Sequence, residues 1–296
     1  MNQEELKTMV AQILREMTPG TEPAVKASDY RPTETMEAGA CLEDISTIDL
    51  RKQYLVENPA QPEAYRRLKE KTPARLGSGR AGPRYKTITQ LRFRADHAAA
   101  QDSVFTEIPP EFARDNGLVA VQTACESRDQ YLTRPDLGRR FDEENSQIIR
   151  QKLPQGSSIQ LVIGDGLSSA AILANAMDCA KAIAQGLKAS GMELGPIAYV
   201  KNARVGAGDF IGDLTGCQVV CMLVGERPGL VSAESMSAYI TYKPHTGIPE
   251  SKRTVVSNIH RQGTPAVEAG AHIAELLQRI LKARASGVDL LGGEAG

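Results

Sequence analysis

The sequence contains no tryptophan, and its aromatic residues make up only 4% of the chain. Proteins that bind single-stranded nucleic acid stack the bases on aromatic side chains, so this composition argues against that function. The 35 lysine and arginine residues nearly balance the 36 aspartate and glutamate residues. No overall field therefore attracts nucleic acid or an anionic membrane, and we expect neither as a partner.

Cysteine is scarce, and its spacing is irregular. The five cysteines form no C-x-x-C pair, which argues against a disulfide framework or a structural zinc site and fits a reducing cytosol. Cys217 and Cys221 stand among apolar residues in CQVVCMLV, and we interpret them as small buried hydrophobes. The sequence also lacks an apolar run of about 18 residues and a cationic leader with an apolar block. We therefore expect no membrane span and no secretory signal.

The first 18 residues predict an amphipathic helix. In MNQEELKTMVAQILREM the apolar residues recur at helical spacing and the others are mostly charged or polar. Residues 19–48 are rich in Pro, Thr, Glu and Gly, which predicts a flexible linker. A helix of this length is marginal alone in water, so a tethered one indicates a partner surface. A frayed tail without function is the alternative.

The remainder divides into a helical and extended region at 49–150 and a region at 151–296 in which strands alternate with helices. SIQLVIGDGLSSAAILANAMDCAKAIAQGLKASG predicts a strand, a Gly-Asp-Gly turn and a long helix. Further strands are predicted in PIAYVKNARVGAGD, CQVVCMLVGERPGL, ESMSAYITYKP and RTVVSNIHRQG. Thr264 and Pro265 predict the N-cap and first turn of a final amphipathic helix. This alternation predicts an α/β fold with a Rossmann-like, mostly parallel sheet covered by helices.

Four polar loops follow predicted strands, namely GDGLSS, KNARVGAGD, GERPGL and SNIHRQG. Ligands bind such sheets outside the carboxyl ends of the strands, so we expect the four loops to converge on one rim. The polar side chains they bring there are Asp165, Arg204, Glu226, Arg227, Asn258 and His260. This set favours a polar ligand surface over a catalytic triad.

Simpler structural interpretations of these loops stay open. Glu226 and Arg227 could form a solvated pair worth less than about 1 kcal/mol, with Pro228 and Gly229 as the turn. RPDLGRR, at residues 134–140, could be an ordinary turn before a basic helix start.

The familiar catalytic motifs are incomplete. GDGLSS resembles the dinucleotide fingerprint G-x-G-x-x-G, but Ser169 replaces the third glycine, and the next strand ends in KNARV instead of an acidic residue. Ser168 and Ser169 do not fit G-x-S-x-G. The histidines have no H-E-x-x-H spacing, and no D-x-H-x-x-G is present. We therefore expect no self-contained catalytic set and no metal ligands.

Five segments in order resemble the small (light) subunit of ethanolamine ammonia-lyase: LRFRADHAAAQDSVFTEIP, YLTRPDLGRR, VIGDGLSSAAI, LVGERPGLVSAESMSAY and RTVVSNIHRQGTPAVEAG. The resemblance runs from about Asp49 to near the C-terminus. It implies an enzyme that uses adenosylcobalamin to turn ethanolamine into acetaldehyde and ammonia by a radical mechanism. It also implies a large subunit, a TIM barrel, that holds the substrate and that the region 49–150 contacts. Residues 151–296 would complete the cobalamin site at the subunit interface, with the cofactor bound base-on through its own dimethylbenzimidazole.

The resemblance carries three cobalamin contacts over to this chain. They are Val205 in NARVGAGD, Glu226 in LVGERPGL and Val255 in RTVVSNIH, where family members can carry cysteine. A corrin ring displays peripheral amides, so a carboxylate is a suitable acceptor for their N–H groups, whereas a valine offers only backbone or packing contacts. On this interpretation GERPGL is a ligand-holding loop whose stiff Pro-Gly turn lowers the ordering cost of binding.

The N-terminal helix and its tether resemble the encapsulation peptides of bacterial microcompartments. This resemblance implies a cytoplasmic microcompartment as location, with shell proteins and a reactivating factor as further partners. Two alternatives remain. One is a scaffold or targeting subunit that binds the large subunit without touching the cofactor, and the other is an independent Rossmann oxidoreductase.

Overall fold

The computed structural model describes residues 44–292. Within these, the chain from Ile45 to residue 292 belongs to one compact unit. The predicted helix at 1–18 lies outside the described residues, as does the predicted linker up to residue 43.

The centre of the fold is a six-stranded sheet. A separate two-stranded hairpin precedes it, formed by β1 (Arg80–Ala81) and β2 (Arg84–Tyr85). The six strands are β3 (Val119–Gln122), β4 (Ile159–Gly164), β5 (Ala198–Lys201), β6 (Val219–Gly225), β7 (Met236–Tyr242) and β8 (Arg253–Ile259). Their spatial order is β3-β5-β4-β6-β7-β8. The first four are parallel, and β7 is antiparallel to both β6 and β8. The α/β class is confirmed, and the sheet is mixed.

The described residues form nine helices. They are α1 (Pro62–Glu70), α2 (Thr87–Phe105), α3 (Glu111–Asp115), α4 (Arg128–Thr133), α5 (Glu143–Lys152), α6 (Ser169–Ala189), α7 (Gly206–Thr215), α8 (Ala266–Ala283) and α9 (Val288–Gly292). Two short 3-10 turns lie at Leu137–Arg139 and Glu250–Lys252. Ser168 caps α6 by accepting a hydrogen bond from the backbone N–H of Ala171 at 3.0 Å.

The predicted cap of the last helix is wrong by one position. Helix α8 begins at Ala266, its N-cap residue is Pro265, and no side chain caps it. The Thr264 backbone is used differently, because its N–H donates to the Asn258 carbonyl and its carbonyl accepts from the His260 N–H. These bonds hold Thr264 in the turn after β8, before the helix starts.

The central strands β4 and β6 are buried on both faces, which explains their nearly unbroken apolar runs. Successive residues of β4 alternate between two cores. Leu161 and Ile163 belong to the core beneath α6 and α8, whereas Val162 belongs to the core beneath α5 and α7. The region 49–150 contributes to this packing, since β3 pairs with β5 and Ile149 of α5 is fully buried. The two predicted segments therefore share one sheet.

Cys217 and Cys221 are buried, as predicted from their apolar surroundings. They are free thiols, as are the buried Cys125 and Cys179. Burial raises the pKa of the Cys179 thiol to about 12. Within residues 44–292, no helix is long and apolar enough to cross a membrane.

Candidate functional site

The four polar loops meet at one edge of the sheet, as predicted. The last residues of β4 and β6 lie side by side, because Gly164 pairs with Val224. At the same edge Gly225 pairs with Met236, which in turn pairs with Ile259 at the end of β8. The carboxyl ends of β4, β5, β6 and β8 therefore form one rim.

The loop after β4 joins its neighbours through backbone hydrogen bonds. The Leu167 N–H donates to the Gly225 carbonyl at 2.9 Å, and the Ala203 N–H donates to the Asp165 carbonyl at 2.9 Å. Strand β4 lies between β5 and β6, so its loop occupies the point where the strand order reverses, which is the usual ligand crevice of a doubly wound sheet.

Glycines let the chain fill this crevice with its own backbone. A Cβ on Gly166 would lie 2.4 Å from the Gly225 carbonyl oxygen, and one on Gly225 would lie 2.0 Å from the Ser168 carbonyl oxygen. Gly166 of the G-x-G pattern therefore serves close packing between two loops, whereas Gly164 makes room for the Met222 and Ala203 side chains. A dinucleotide fingerprint leaves room here for the phosphates of its ligand, but in this chain backbone atoms occupy that space.

Asp165 belongs to the packed interior of the rim. Its side chain is buried, with the residue 3% exposed, and it accepts a hydrogen bond from the Ser169 hydroxyl at 2.6 Å. Burial raises the pKa of Asp165 above its ordinary value, and the Ser169 hydrogen bond offsets part of that rise. Asp165 thus organises the start of α6 and is not presented to a ligand.

Arg204 is also engaged within the chain. Its guanidinium stacks on the Tyr131 ring at 4.2 Å and donates to the Tyr131 carbonyl at 2.8 Å, and its backbone N–H donates to the Gly138 carbonyl. The Tyr131 hydroxyl donates to the Ala203 carbonyl at 3.1 Å, and burial raises the pKa of Tyr131 to about 12. The RPDLGRR segment is therefore packed against the loop after β5. The role of Tyr131 was not predicted, because it lies 73 residues from Arg204.

Asn258 and His260 close the turn after β8. The Gln262 N–H donates to His260 Nδ1 at 3.3 Å, which places the imidazole proton on Nε2, 2.8 Å from Asn258 Oδ1. Asn258 has φ = 63°, a left-handed conformation that Asn tolerates better than most residues. Both side chains therefore shape the rim.

Glu226 has a partner that the sequence did not reveal. The Tyr239 hydroxyl donates to Glu226 Oε1 at 2.7 Å, and the Glu226 N–H donates to the Ser235 carbonyl. Glu226 is half-buried, whereas Arg227 is exposed. The structure records no ion pair between these two described residues, so the simple solvated pair is not formed. Burial, reinforced by the Glu226 carboxylate, raises the pKa of Tyr239, which keeps its hydroxyl a hydrogen-bond donor.

Tyr239 also connects Glu226 with Val255. Tyr239 and Val255 are directly paired across β7 and β8, so their side chains lie on the same face of the sheet. Val255 is 46% exposed, whereas Tyr239 packs against the core beneath α5 and α7. The half-buried Val205, the N-cap residue of α7, packs against that same core. We call Val205, Glu226, Tyr239 and Val255 the open face.

The open face has groups suited to binding a ligand and few groups suited to catalysis. Its polar group is one carboxylate, which accepts a hydrogen bond from a tyrosine hydroxyl. Its apolar surface lies on a strand and at the start of a helix. Within residues 44–292, no group of three or more His, Cys, Asp or Glu side chains is placed to hold a metal ion. This combination suits a large, flat ligand that has apolar surface and hydrogen-bond donors at its periphery.

The family model and the individual relatives that match this chain all point to the same family. The family described as ethanolamine ammonia-lyase light chain (EutC) matches residues 62–291. The ethanolamine ammonia-lyase small subunit of Clostridium perfringens is 56% identical over 98% of this chain and 100% of its own length. The small subunits of Clostridioides difficile and Listeria innocua are 55% and 52% identical, with the same shares covered.

Proposed function

Because this chain belongs to the family of ethanolamine ammonia-lyase light chains, also named small subunits, we propose that it completes the adenosylcobalamin site of that enzyme. The enzyme would convert ethanolamine to acetaldehyde and ammonia. This chain would act with a large subunit that holds the substrate, and its open face would form one side of the cofactor site at the interface. When bound, adenosylcobalamin supplies the adenosyl radical that abstracts hydrogen from the substrate.

The observation that carries this proposal is the juxtaposition of Glu226, Tyr239 and Val255 on one face. A corrin has an apolar ring and peripheral amides, and these residues offer matching apolar surface and a carboxylate acceptor. Tyr239 occupies one oxygen of Glu226 and orients the carboxylate, which leaves the other oxygen to accept an amide N–H. Val205 and Val255 would contact the ring by packing. No residue of the open face is required to transfer a proton.

The finer fold assignment is part of the same proposal. Strands β4, β5 and β6 have the order β5-β4-β6, with α6 and α7 in opposite cores, and this order supports the assignment of a doubly wound, Rossmann-like sheet. Its usual crevice is filled by Gly166 and Gly225. Because this crevice is filled, a nicotinamide cofactor has no room there, which argues against an independent nicotinamide oxidoreductase. A ligand on the adjacent open face is favoured instead.

The test is cofactor binding by the complex of this chain with its large subunit. We expect Glu226→Ala to raise the Kd for adenosylcobalamin by about 10-fold or more, because a hydrogen bond to a charged group contributes about 1.5–3 kcal/mol. Turnover at saturating cofactor should remain near that of the unmodified complex. Arg227→Ala is the matched control, since the neighbouring side chain is exposed. Normal cofactor affinity with abolished saturated turnover would reject this role for Glu226.

Omitting the chain separates this function from a scaffold. A large subunit that retains cobalamin equally well with and without this chain would favour the alternative, a scaffold or targeting subunit that does not touch the cofactor. We expect retention only when both subunits are present.

We further propose that residues 1–18 direct the enzyme into a bacterial microcompartment through the tether at 19–48. The support is the amphipathic spacing of Leu6, Val10 and Ile13 together with the Pro-rich segment that follows. Deleting residues 1–19 should leave activity in solution intact and abolish co-purification with shell proteins. Unchanged association with shells would contradict the proposal. A reactivating factor is a further expected partner.

A further inference from the structure

An ion pair buried beneath the open face joins two of its elements. Arg253 Nη1 lies 2.7 Å from Asp209 Oδ1, and Arg253 Nη2 lies 2.7 Å from Asp209 Oδ2. The two side chains are 4% and 5% exposed. Two parallel hydrogen bonds between a planar guanidinium and a carboxylate fix both the separation and the orientation of the groups.

The positions of these residues relate them to the proposed cofactor contacts. Asp209 follows Val205 by four residues at the start of α7, which is about one helical turn. Arg253 opens β8 and precedes Val255 by two residues, so both side chains lie on the same face of that strand. Arg253 Nη1 also donates to the Thr241 hydroxyl at 3.2 Å on β7. The guanidinium, carried by the edge strand β8, therefore contacts a helix and the neighbouring strand β7.

Stability alone gives a weak reason for this arrangement. A buried ion pair loses the hydration of both charges, and replacing it with apolar residues of similar volume is often neutral or stabilising. The ion pair fixes the distance and orientation between its two elements, which an apolar contact does not do. Here it sets how far α7, with Val205 at its start, stands from β8, with Val255 at its middle.

We propose that Asp209 and Arg253 are positioning residues for the cofactor: their bidentate pair sets the width of the open face between Val205 and Val255. This inference rests on the proposed function of the open face. Neither side chain reaches the ligand, and the pair acts by holding α7 and β8 at the spacing that the corrin requires.

The second partner of Arg253 provides the control. Glu250 accepts from Arg253 Nε at 2.6 Å, but its side chain is 78% exposed. Glu250→Gln removes this surface charge and leaves the Asp209 contact in place. Because Arg253 contacts α7 through Asp209 and Glu250 lies outside α7, we expect Glu250→Gln to bind cofactor like the unmodified complex.

The test uses the complex of this chain with its large subunit and the double variant Asp209→Leu/Arg253→Met, alongside Asp209→Asn. The double variant should fold and assemble, as judged by urea unfolding and gel filtration, because no charge remains unpaired in the core. We expect its KM for adenosylcobalamin to rise by about 10-fold, the lower end of the effect that loss of an orienting outer partner has at metal sites. Its kcat at saturating cofactor should change by less than about twofold, because Asp209 and Arg253 touch neither substrate nor reacting atoms.

The outcomes separate this inference from the proposed function. An unmodified complex that binds cobalamin, together with a folded double variant of equal KM, would overturn the positioning role and leave the proposed function standing. Failure of the unmodified complex to bind cobalamin would overturn both. A fall in kcat without a change in KM would also overturn the positioning role. If Asp209→Asn does not fold, the double variant still decides between these results.

Discussion

At the scale of single residues, the rim depends on glycines that allow two loops to approach each other. Gly225 ends β6, and the Ser168 carbonyl lies where its side chain would be. Gly229, four residues later in the same loop, has no atom closer than 3.8 Å to an added Cβ. The two positions therefore form a natural pair for comparison.

We predict that Gly225→Ala lowers the free energy of unfolding by about 2–3 kcal/mol, because the backbone must shift to admit the methyl group. Gly229→Ala should change it by no more than about 0.5 kcal/mol. Urea unfolding of the isolated chain, followed by circular dichroism, measures both. Equal effects of the two substitutions would contradict the close packing of the loops.

Asp165 gives a prediction about pH. Burial raises its folded-state pKa above the ordinary value of 3.8, so the native chain binds this proton more tightly than the unfolded chain does. Its contribution to stability is fully present below pH 3.8 and is lost as the pH rises through the folded-state pKa. Asp165→Asn does not titrate, so its stability relative to the unmodified chain should increase over that range and then level off.

Urea unfolding at several pH values from about 3 to 8 measures this difference. Asp142 supplies a control of opposite sign, because hydrogen bonds from Asn145 lower its pKa. The unmodified chain should therefore lose its advantage over Asp142→Asn as the pH falls through the folded-state pKa of Asp142. A difference for Asp165→Asn that does not vary with pH would contradict the burial argument.

At the scale of elements, the loop between β6 and β7 is anchored by the helical region that precedes the sheet. Asp96 of α2 accepts hydrogen bonds from Arg75 and Arg92, at 2.6 and 2.9 Å. Arg75 also donates to the Leu230 carbonyl at the end of GERPGL, and Arg92 donates to the Ile48 carbonyl. A cavity of about 600 Å³ opens beside these contacts and reaches His260. The network links residues 45–48, α2 and the ligand-holding loop.

We predict that Asp96→Ala loosens this loop. Removing the shared carboxylate leaves two partly buried guanidinium groups without their common acceptor, so amide hydrogen exchange should accelerate at residues 227–233. The strands β4 and β6 should keep their protection. Asp136→Ala, which removes an exposed pair with Arg134, is the control and should leave exchange in the loop unchanged. Equal exchange in both variants would show that Asp96 does not anchor it.

The elements and the rim were predictable to different degrees. Strands β4 and β6 were clear from sequence because strands buried on both faces are apolar at nearly every position. The rim loops followed from the strand ends. The contacts between Tyr239 and Glu226 and between Arg253 and Asp209 could not be predicted, since they depend on which strands become neighbours. The Thr264 cap was wrong because its backbone is engaged in the turn after β8, a contact that local capping rules do not contain.

At the scale of the whole molecule, residues 49–150 and 151–296 depend on each other physically. Strand β3 forms an edge of the sheet, and α5 brings the fully buried Ile149 to the core beneath it. Their removal would expose Val162 and Val200 to water. The predicted boundary at residue 150 thus separates segments of one packed core.

We predict that a fragment of residues 151–296 does not unfold cooperatively. Its urea transition, followed by circular dichroism, should be broad and its m value low, since a fragment without β3 and α5 has an incomplete core. A chain starting at residue 45 is the control and should show a single steep transition. A steep transition of the shorter fragment would establish it as an independent domain.

Strand β7 runs antiparallel to β6, and this change of direction has a consequence for how the molecule would bind a second subunit. Between β4 and β6 every connection contains a helix, and these helices cover both faces of the strands. Strands β7 and β8 follow through connections that contain no α-helix within residues 44–292, and Val255 on β8 stays 46% exposed. The proposed cofactor would rest on that part of the sheet, beside α7. The rest of its enclosure would then come from the large subunit, so the order of helices and strands along the chain would itself account for the need for a second subunit.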